Sequence, residues 1–286
     1  MKMAALKVPK EERIEQVVLA RQLDAAATVQ LHGATVTSLI LNGAERLFVS
    51  EKAIFDNKKA IRGGIPVVFP HFGPWEDRPQ HGFARTAAWE LTDKQTDPKK
   101  EVTCTFTLEE SPETRTLWNH KFKAKYSVIL KKKDAVFDFS VTNQDLNQIE
   151  FTCLLHTYFQ VDDVTKVTVS GLQGLEYVDK VRGGGTFTED RELVTVSEQV
   201  DRVYKNTPNV HEIRNTIDGA TITLTKLNFP DTVVWNPWSD KAKQMSDFGD
   251  EEYTKMICVE AGHVSRPVVL QPGETFSATQ IVAISL

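Results

Sequence analysis

Two segments that are otherwise apolar contain a side chain able to carry a proton. His156 lies in FTCLLHTYF at 151–159, and Glu260 lies in MICVEAG at 256–262. A buried imidazole needs hydrogen-bond partners, so His156 is either a satisfied core histidine or an acid/base group that faces a cleft. Glutamate is rarely buried without a partner, so Glu260 is either a salt-bridge or turn residue or a general base at a strand end. A histidine and a carboxylate without a nucleophile motif predict proton-transfer chemistry.

The segment 61–90 has the highest density of residues that could bind a ligand. It holds two histidines, three arginines and two tryptophans among several glycines and prolines. Arg62 and Arg85 are candidate phosphate ligands, because the planar guanidinium matches phosphate oxygens and an acidic protein must concentrate such groups locally. The alternatives are a rigid loop packed on a sheet and two surface ion pairs. Trp75, like Trp235 and Trp238 later in the chain, could pack against a sugar ring or belong to the core.

Motifs for phosphate-loop, dinucleotide, zinc-protease and serine-nucleophile chemistry are absent from the sequence. Its three cysteines, Cys104, Cys153 and Cys258, lie in separate apolar runs. This spacing predicts reduced, buried thiols instead of disulfides or a metal site. We therefore expect neither a metal nor a cofactor.

Charge and hydropathy exclude several classes of partner. The 286 residues carry 34 basic and 39 acidic side chains, a net charge of −5. This balance gives no general attraction to nucleic acid or anionic lipid, so any bound anion must be held locally. The N-terminus is too charged for a secretion signal, and no apolar run is long enough to span a membrane. We expect a cytoplasmic protein and, because no exposed apolar stripe is evident, a monomer.

The dominant sequence period is two, which is typical of half-buried strands. In 102–108 and 135–141 apolar residues alternate with polar ones. Strands are also predicted at 28–41, 46–50, 126–131, 151–159, 164–169, 193–196, 221–227, 232–236, 255–260 and 274–284. Residues 10–22 fit a short helix or an opening strand. Without long helices between the strands, the pattern predicts an all-β antiparallel sandwich, with one domain over 1–286.

Six motifs, spread in order over nearly the whole chain, resemble those of the hexose-6-phosphate mutarotases in the aldose 1-epimerase superfamily. They are IRGGIPVVFPHFGP (61–74), QHGFAR (80–85), LLHTYF (154–159), VSGLQG (169–174), VVWNPW (233–238) and VEAG (259–262). The family's fold is a large antiparallel β-sandwich, the galactose mutarotase-like supersandwich, which agrees with the strand pattern. The resemblance implies interconversion of the α and β anomers of a hexose 6-phosphate, without a cofactor.

The resemblance also implies roles for individual residues. His156 matches the catalytic acid and Glu260 the catalytic base, which implies an imidazolium beside a carboxylate before reaction. The implied substrate contacts are Arg62, Gln80, His81, Arg85 and Asp201. Of these, Asp201 stands in a short and variable context, SEQVDRVY at 197–204.

Two other functions are compatible with the sequence. A sugar-phosphate sensor could use the same fold without catalysis, but it would not need both His156 and Glu260. A glycoside hydrolase would need two carboxylates around the bond it cleaves. Asp201 could be the second carboxylate only if it lies beside Glu260.

Overall fold

The protein is built almost wholly from antiparallel strands. A computed structural model describes residues 15–21, 25–97 and 101–285. Strands account for 51% and helices for 9% of the chain, which confirms the predicted all-β class. The strands in chain order are β1 Gln16–Arg21, β2 Ala25–Gln30, β3 Val36–Leu41, β4 Ala44–Glu45, β5 Val67–Val68, β6 Glu90–Thr96, β7 Val102–Glu109, β8 Phe122–Leu130, β9 Asp134–Asn143, β10 Ile149–Leu155, β11 Tyr158–Gln160, β12 Thr168–Val169, β13 Glu176–Asp179, β14 Gly185–Thr188, β15 Val200–Tyr204, β16 Val210–Arg214, β17 Thr221–Leu227, β18 Asp231–Asn236, β19 Met256–Leu270 and β20 Thr275–Ser285. The α-helices are α1 Pro112–Leu117 and α2 Trp238–Ala242.

The strands form three sheets. One eight-stranded sheet, the cleft sheet, has the order β14-β13-β15-β18-β19-β10-β5, with β11 also paired to β19. The second eight-stranded sheet, the back sheet, has the order β12-β16-β17-β20-β9-β8-β7-β6. A four-stranded sheet, β1-β2-β3-β4, completes the architecture. None of the helices that the structure describes is long and apolar enough to span a membrane.

The two large sheets share one apolar core. The ring of Phe69, just after β5, meets Phe122 and Phe139 of the back sheet at centroid distances of 5.4 and 5.9 Å. Phe151 and Phe276 make a similar cross-sheet contact at 5.8 Å. Edge-to-face aromatic pairs add about 0.5–1.5 kcal/mol each to the free energy of unfolding beyond the area they bury. These contacts hold the cleft sheet rigidly, and the functional side chains lie on its other face.

The first half of β19 is buried on both faces. Ile257, Val259 and Ala261 belong to the core between the two large sheets. Met256, Cys258 and Glu260 point the other way, because side chains alternate along a strand. Loops cover that second face, so the run 256–262 is buried without a break. This double burial is why the sequence shows continuous hydrophobicity around Glu260 and not a period of two.

Several strand predictions need correction. Residues 164–166 form a 3-10 turn, and only Thr168–Val169 of the predicted 164–169 strand is extended in a ladder. Segments 193–196 and 46–50 contribute only isolated bridges. Within the segment 10–22, Gln16–Arg21 forms strand β1, and residues 10–14 and 22 lie outside the described residues. Strands β4 to β6 and β13 to β16 are absent from the prediction. β6 and β14 are mostly exposed, β4 and β5 have only two residues each, and charged or polar residues interrupt the apolar pattern of β13, β15 and β16.

Candidate active site

A cleft of about 480 Å³ opens on the outer face of the cleft sheet. It is lined by residues from β15, β18 and β19, from the position just after β10, from the segments around 62, 72–85 and 180, and from α2 and the turn that follows it. All seven residues predicted from the sequence line it: Arg62, Gln80, His81, Arg85, His156, Asp201 and Glu260. The fold therefore gathers into one site residues that are far apart in the chain. Their individual roles stay predictions.

His156 and Glu260 meet at the floor of the cleft. The Nδ1 atom of His156 lies 3.4 Å from Oε1 of Glu260, and these side chains are only 11% and 1% exposed. This separation is longer than a good N–H···O hydrogen bond. Among the described residues neither carboxyl oxygen of Glu260, nor Nδ1 of His156, has a hydrogen-bond partner. The pair is thus buried and incompletely satisfied, which is unusual for a purely structural contact.

Burial pushes both groups of this pair toward their neutral forms. Desolvation raises the pKa of Glu260 well above its ordinary value, and the nearby Asp201 carboxylate raises it further. Desolvation lowers the pKa of His156, and His81, Arg85 and Arg62 add to the effect. The substrate-free site therefore favours a neutral imidazole beside a protonated carboxyl, contrary to the imidazolium and carboxylate expected from the sequence. The two states hold the same number of protons and differ by one proton transfer.

Backbone pairing sets the position of His156. It follows β10, and its N–H donates to the carbonyl of Pro66, while the N–H of Tyr158 donates to the carbonyl of Gly64. Gly64 has a φ of 68° and its Cα faces the backbone of Val36, so a side chain there would collide with the Val36 carbonyl. The imidazole stacks on the Tyr158 ring, with centroids 4.7 Å apart. Gly64 thus lets this loop lie close to β3 while its carbonyl pairs with the segment that carries His156.

Arg62 is held in place by two neighbours. Its Nε and Nη2 atoms each lie 3.2 Å from Oδ2 of Asp247, and Nη1 donates to the hydroxyl of Tyr158 at 3.1 Å. The side chain remains 25% exposed toward the cleft. Because Tyr158 also stacks on His156, it connects a candidate phosphate ligand with a candidate catalytic group. The sequence analysis did not identify either Tyr158 or Asp247.

The QHGFAR motif brings three side chains, Gln80, His81 and Arg85, to the cleft. An Nη2 hydrogen of Arg85 is donated to the carbonyl of Gln80 at 2.7 Å. Burial lowers the pKa of Arg85 to about 10, which leaves it charged at neutral pH. Nδ1 of His81 accepts from the N–H of Gly73 at 3.1 Å, so its Nε2 carries the proton. Burial and the charge of Arg85 lower the pKa of His81 to about 2, so this ring is neutral. Gly82, between them, has a φ of 72° and approaches the backbone of Phe69 too closely for a side chain.

Asp201 enters the cleft from β15 and faces Lys180. Its Oδ1 lies 3.9 Å from Nζ of Lys180, which also sits 4.0 Å above the Phe72 ring. Burial raises the pKa of Asp201, partly offset by Lys180. Asp201 pairs with Trp235 on β18, and Val233 on β18 pairs with Glu260 on β19. Adjacent strands therefore place the two carboxyls on one face of the sheet.

The family model for aldose 1-epimerase matches residues 15–283. The chain belongs to the aldose 1-epimerase family. Individual relatives also match this epimerase over about nine tenths of its length. A protein of Cenchrus ciliaris, provisionally assigned as a glucose-6-phosphate 1-epimerase, is 38% identical over 272 residues, covering 91% of this chain and 82% of its own. An Escherichia coli (strain K12) protein with the same provisional assignment is 32% identical over 272 residues and covers 90% of each chain.

Solved structures agree with this family. A crystal structure from Salmonella typhimurium, provisionally assigned as a mutarotase, is 29% identical to this epimerase. It matches with a TM-score of 0.87, covering 94% of this chain and 90% of that one. A galactose mutarotase-like protein from Lactobacillus casei, 17% identical, matches with a TM-score of 0.74. The second match supports the fold alone and confirms the predicted supersandwich.

The cleft of this epimerase reverses the sign of the chain's net charge. Four cationic side chains, Arg62, Arg85, Lys180 and Lys241, line it, against the two carboxyls of Asp201 and Glu260. The chain as a whole carries a net charge of −5. Sequence reasoning missed Lys180, in a polar turn after β13, and Lys241, in the short helix α2, because only the fold brings them to the site.

The three tryptophans considered as sugar platforms have different positions. Trp235 lines the cleft, where its ring meets His156 edge-on at 6.0 Å. Trp75 instead stacks on His71 at 5.5 Å, away from the cleft lining. Trp238 packs against Tyr253 at 5.1 Å. Of the three, only Trp235 is placed to contact a ligand in this cleft.

Proposed function

We propose that this epimerase interconverts the α and β anomers of hexose 6-phosphates, with glucose 6-phosphate as the first candidate substrate. The observation that carries the proposal is the juxtaposition of a buried His156–Glu260 pair with a cationic cluster in one cleft. The pair can move protons, and the cluster suits a phosphate. The relatives provisionally assigned as glucose-6-phosphate 1-epimerases support the same substrate.

Anomer interconversion needs two proton transfers. The ring hemiacetal opens when a base takes the proton of the anomeric hydroxyl and an acid protonates the ring oxygen. Rotation about C1–C2 then presents the other face of the aldehyde to the C5 hydroxyl. Ring closure on that face gives the other anomer and returns both protons to the two catalytic groups. We assign Glu260 as the base and His156 as the acid, and each positioned group contributes roughly 10²–10⁴ to the rate.

Substrate binding would convert the neutral pair into the reactive one. A sugar hydroxyl supplies the hydrogen bond that the Glu260 carboxyl oxygens lack among the described residues, which lowers the pKa of Glu260. The phosphate offsets the charges of Arg62 and Arg85, which lower the pKa of His156 in the free protein. Both changes favour transfer of one proton from Glu260 to His156. The catalytic state thus forms when the correct ligand is present.

Different residues would bind the two ends of the substrate, the phosphate and the sugar ring. Arg62 and Arg85 would hold the phosphate, because charge-assisted bonds to guanidinium are strong and geometrically specific. Gln80, His81 and Asp201 would contact the sugar hydroxyls. Cytoplasmic location, a monomeric state and a single domain stay predictions from the sequence.

The experiment that tests this function compares three reactions of the wild-type protein. Freshly dissolved α-glucose 6-phosphate and α-glucose are followed by polarimetry, and hydrolysis of a nitrophenyl glucoside is followed by absorbance. We expect faster approach to equilibrium for the phosphate than for glucose, and no hydrolysis. Binding without acceleration would support the sensor alternative. Hydrolysis would support a glycosidase in which Asp201 and Glu260 both act.

A further inference from the structure

Cys258 lies directly beside the catalytic pair. It is two residues before Glu260 on β19, so the two side chains share a face of the strand. One potential ligand atom from each of His156, Cys258 and Glu260 falls within 4.8 Å of the others. The chain spacing of these residues gave no sign of such a cluster, because β10 and β19 meet only in the folded sheet.

The donor atoms of this cluster are buried and, in part, unsatisfied. Both carboxyl oxygens of Glu260 and Nδ1 of His156 have no hydrogen-bond partner among the described residues. Cys258 is fully buried, and Glu260 is 1% exposed. Buried polar atoms without partners are rare and mark places where another group can be bound. A thiolate, an imidazole and a carboxylate together form a ligand set that suits zinc.

We propose that His156, Cys258 and Glu260 form an inhibitory binding site for Zn²⁺ at the floor of the cleft. The proposal rests on the proposed function, because inhibition follows from occupation of the two proton-transfer groups. A zinc-bound imidazole nitrogen and a zinc-bound carboxylate can neither deliver nor accept the protons of ring opening. Bound zinc thus inhibits the enzyme without contacting the cationic side chains that would bind the phosphate.

Charge balance favours this ion in a buried position. Binding displaces the proton of the Cys258 thiol and that of the Glu260 carboxyl, while the imidazole binds as a neutral ligand. Two anionic ligands then neutralise the Zn²⁺ charge, so no net charge is buried. No electron transfer is involved. His156 and Glu260 line the cleft, so a fourth ligand, water or a sugar oxygen, can reach the metal from that side.

Small movements are enough to complete the site. Zinc ligands lie about 2.0–2.3 Å from the metal, so two ligand atoms on the same zinc ion are closer than 4.8 Å to each other. The three atoms of this cluster lie within 4.8 Å of one another and must therefore move slightly closer together. The Nδ1 to Oε1 separation of 3.4 Å already fits that spacing. Hard cations such as Mg²⁺ prefer oxygen ligands, and the thiolate therefore discriminates against them.

The test measures metal binding and inhibition separately. Wild type, Cys258→Ser and Cys258→Ala are compared with Cys104→Ala, a matched control in which a fully buried cysteine of the back sheet is replaced. Binding is followed with Co²⁺, whose bond to a thiolate gives a sulfur-to-metal charge-transfer absorption band. Inhibition of α-glucose 6-phosphate mutarotation is titrated with Zn²⁺ and, in parallel, with Mg²⁺, then reversed with a chelator. Circular dichroism checks that every variant is folded.

We expect the Co²⁺ band and reversible zinc inhibition in the wild type and in Cys104→Ala. The Cys258 variants should retain mutarotation, lack the band, and need Zn²⁺ concentrations higher on the order of tenfold or more for the same inhibition. Equal inhibition of wild type and Cys258→Ser, or Co²⁺ binding without the band, would overturn the proposal. If the wild-type protein shows no mutarotation, the proposed function fails. The Co²⁺ band still decides in that case whether the metal site exists.

Discussion

His156 directly follows β10 and Glu260 lies within the adjacent strand β19 of the cleft sheet, with Nδ1 and Oε1 3.4 Å apart and almost no solvent access. Their backbones are joined through the β10–β19 ladder, in which Leu155 pairs with Ala261. A rigid sheet therefore fixes the distance between the two candidate proton carriers. The consequences of that arrangement can be tested in rate, in substrate preference and in stability.

Removal of either member of the pair should abolish most of the rate. We expect Glu260→Gln and His156→Ala each to lower kcat for α-glucose 6-phosphate by roughly 10²–10⁴, because each removes one positioned proton carrier. The double variant should be little slower than the slower single variant, since the groups act as a unit. Polarimetric rates above the spontaneous rate measure the effect. Additive losses in the double variant would argue that the residues act independently.

The arginine contacts should affect binding of the phosphate specifically. Arg85→Ala is expected to raise KM for glucose 6-phosphate roughly tenfold to a hundredfold, from the loss of a charge-assisted bond of about 1.5–3 kcal/mol. Turnover of free glucose should change little. Arg78→Ala is the matched control, because Arg78 is exposed and packs over Trp75 outside the cleft lining. Equal losses on both sugars would contradict the phosphate assignment.

Tyr158 should act on Arg62 through its hydroxyl alone. Tyr158→Phe removes the 3.1 Å hydrogen bond to Arg62 and keeps the ring that stacks on His156. We expect a rise in KM of about fivefold, corresponding to roughly 1 kcal/mol, with kcat nearly unchanged. A fall in kcat at unchanged KM would instead mean that the phenol takes part in proton transfer.

The buried carboxyl should cost stability at high pH. Because the pKa of Glu260 is raised in the folded state, the folded protein holds this proton more tightly than the unfolded chain does. Stability linked to Glu260 is therefore present below its ordinary pKa and is lost as the pH rises toward the folded value. Glu260→Gln should be more stable than wild type by about 1–3 kcal/mol at alkaline pH, and by less in acid. Thermal unfolding across pH measures this, and a gain that is larger in acid would refute it.

The sequence predicted the all-β class correctly because several strands have one apolar and one polar face. β7, β8 and β9 alternate clearly because one side packs in the core and the other faces solvent. It failed for β6 and β14, whose residues are mostly exposed and lack an apolar stripe. Edge strands of this kind are held by their neighbours, and their own sequence carries little of that information.

The site was predictable only in part. The seven residues came from motif resemblance, and the structure places them together in one cleft. Lys180, Lys241, Asp247 and Cys258 carry no local signal, because each reaches the site through tertiary contacts. The protonation state of the pair was also hidden, since desolvation depends on the loops that cover β19 and not on the sequence around Glu260.

The most direct test of the central claim is the rate at which α-glucose 6-phosphate reaches anomeric equilibrium with wild type and with His156→Ala, beside α-glucose as the control sugar. The account predicts strong acceleration by the wild type, specific to the phosphate, and its loss in a folded His156→Ala variant. Acceleration that survives in the variant, or that is equal for both sugars, would contradict it.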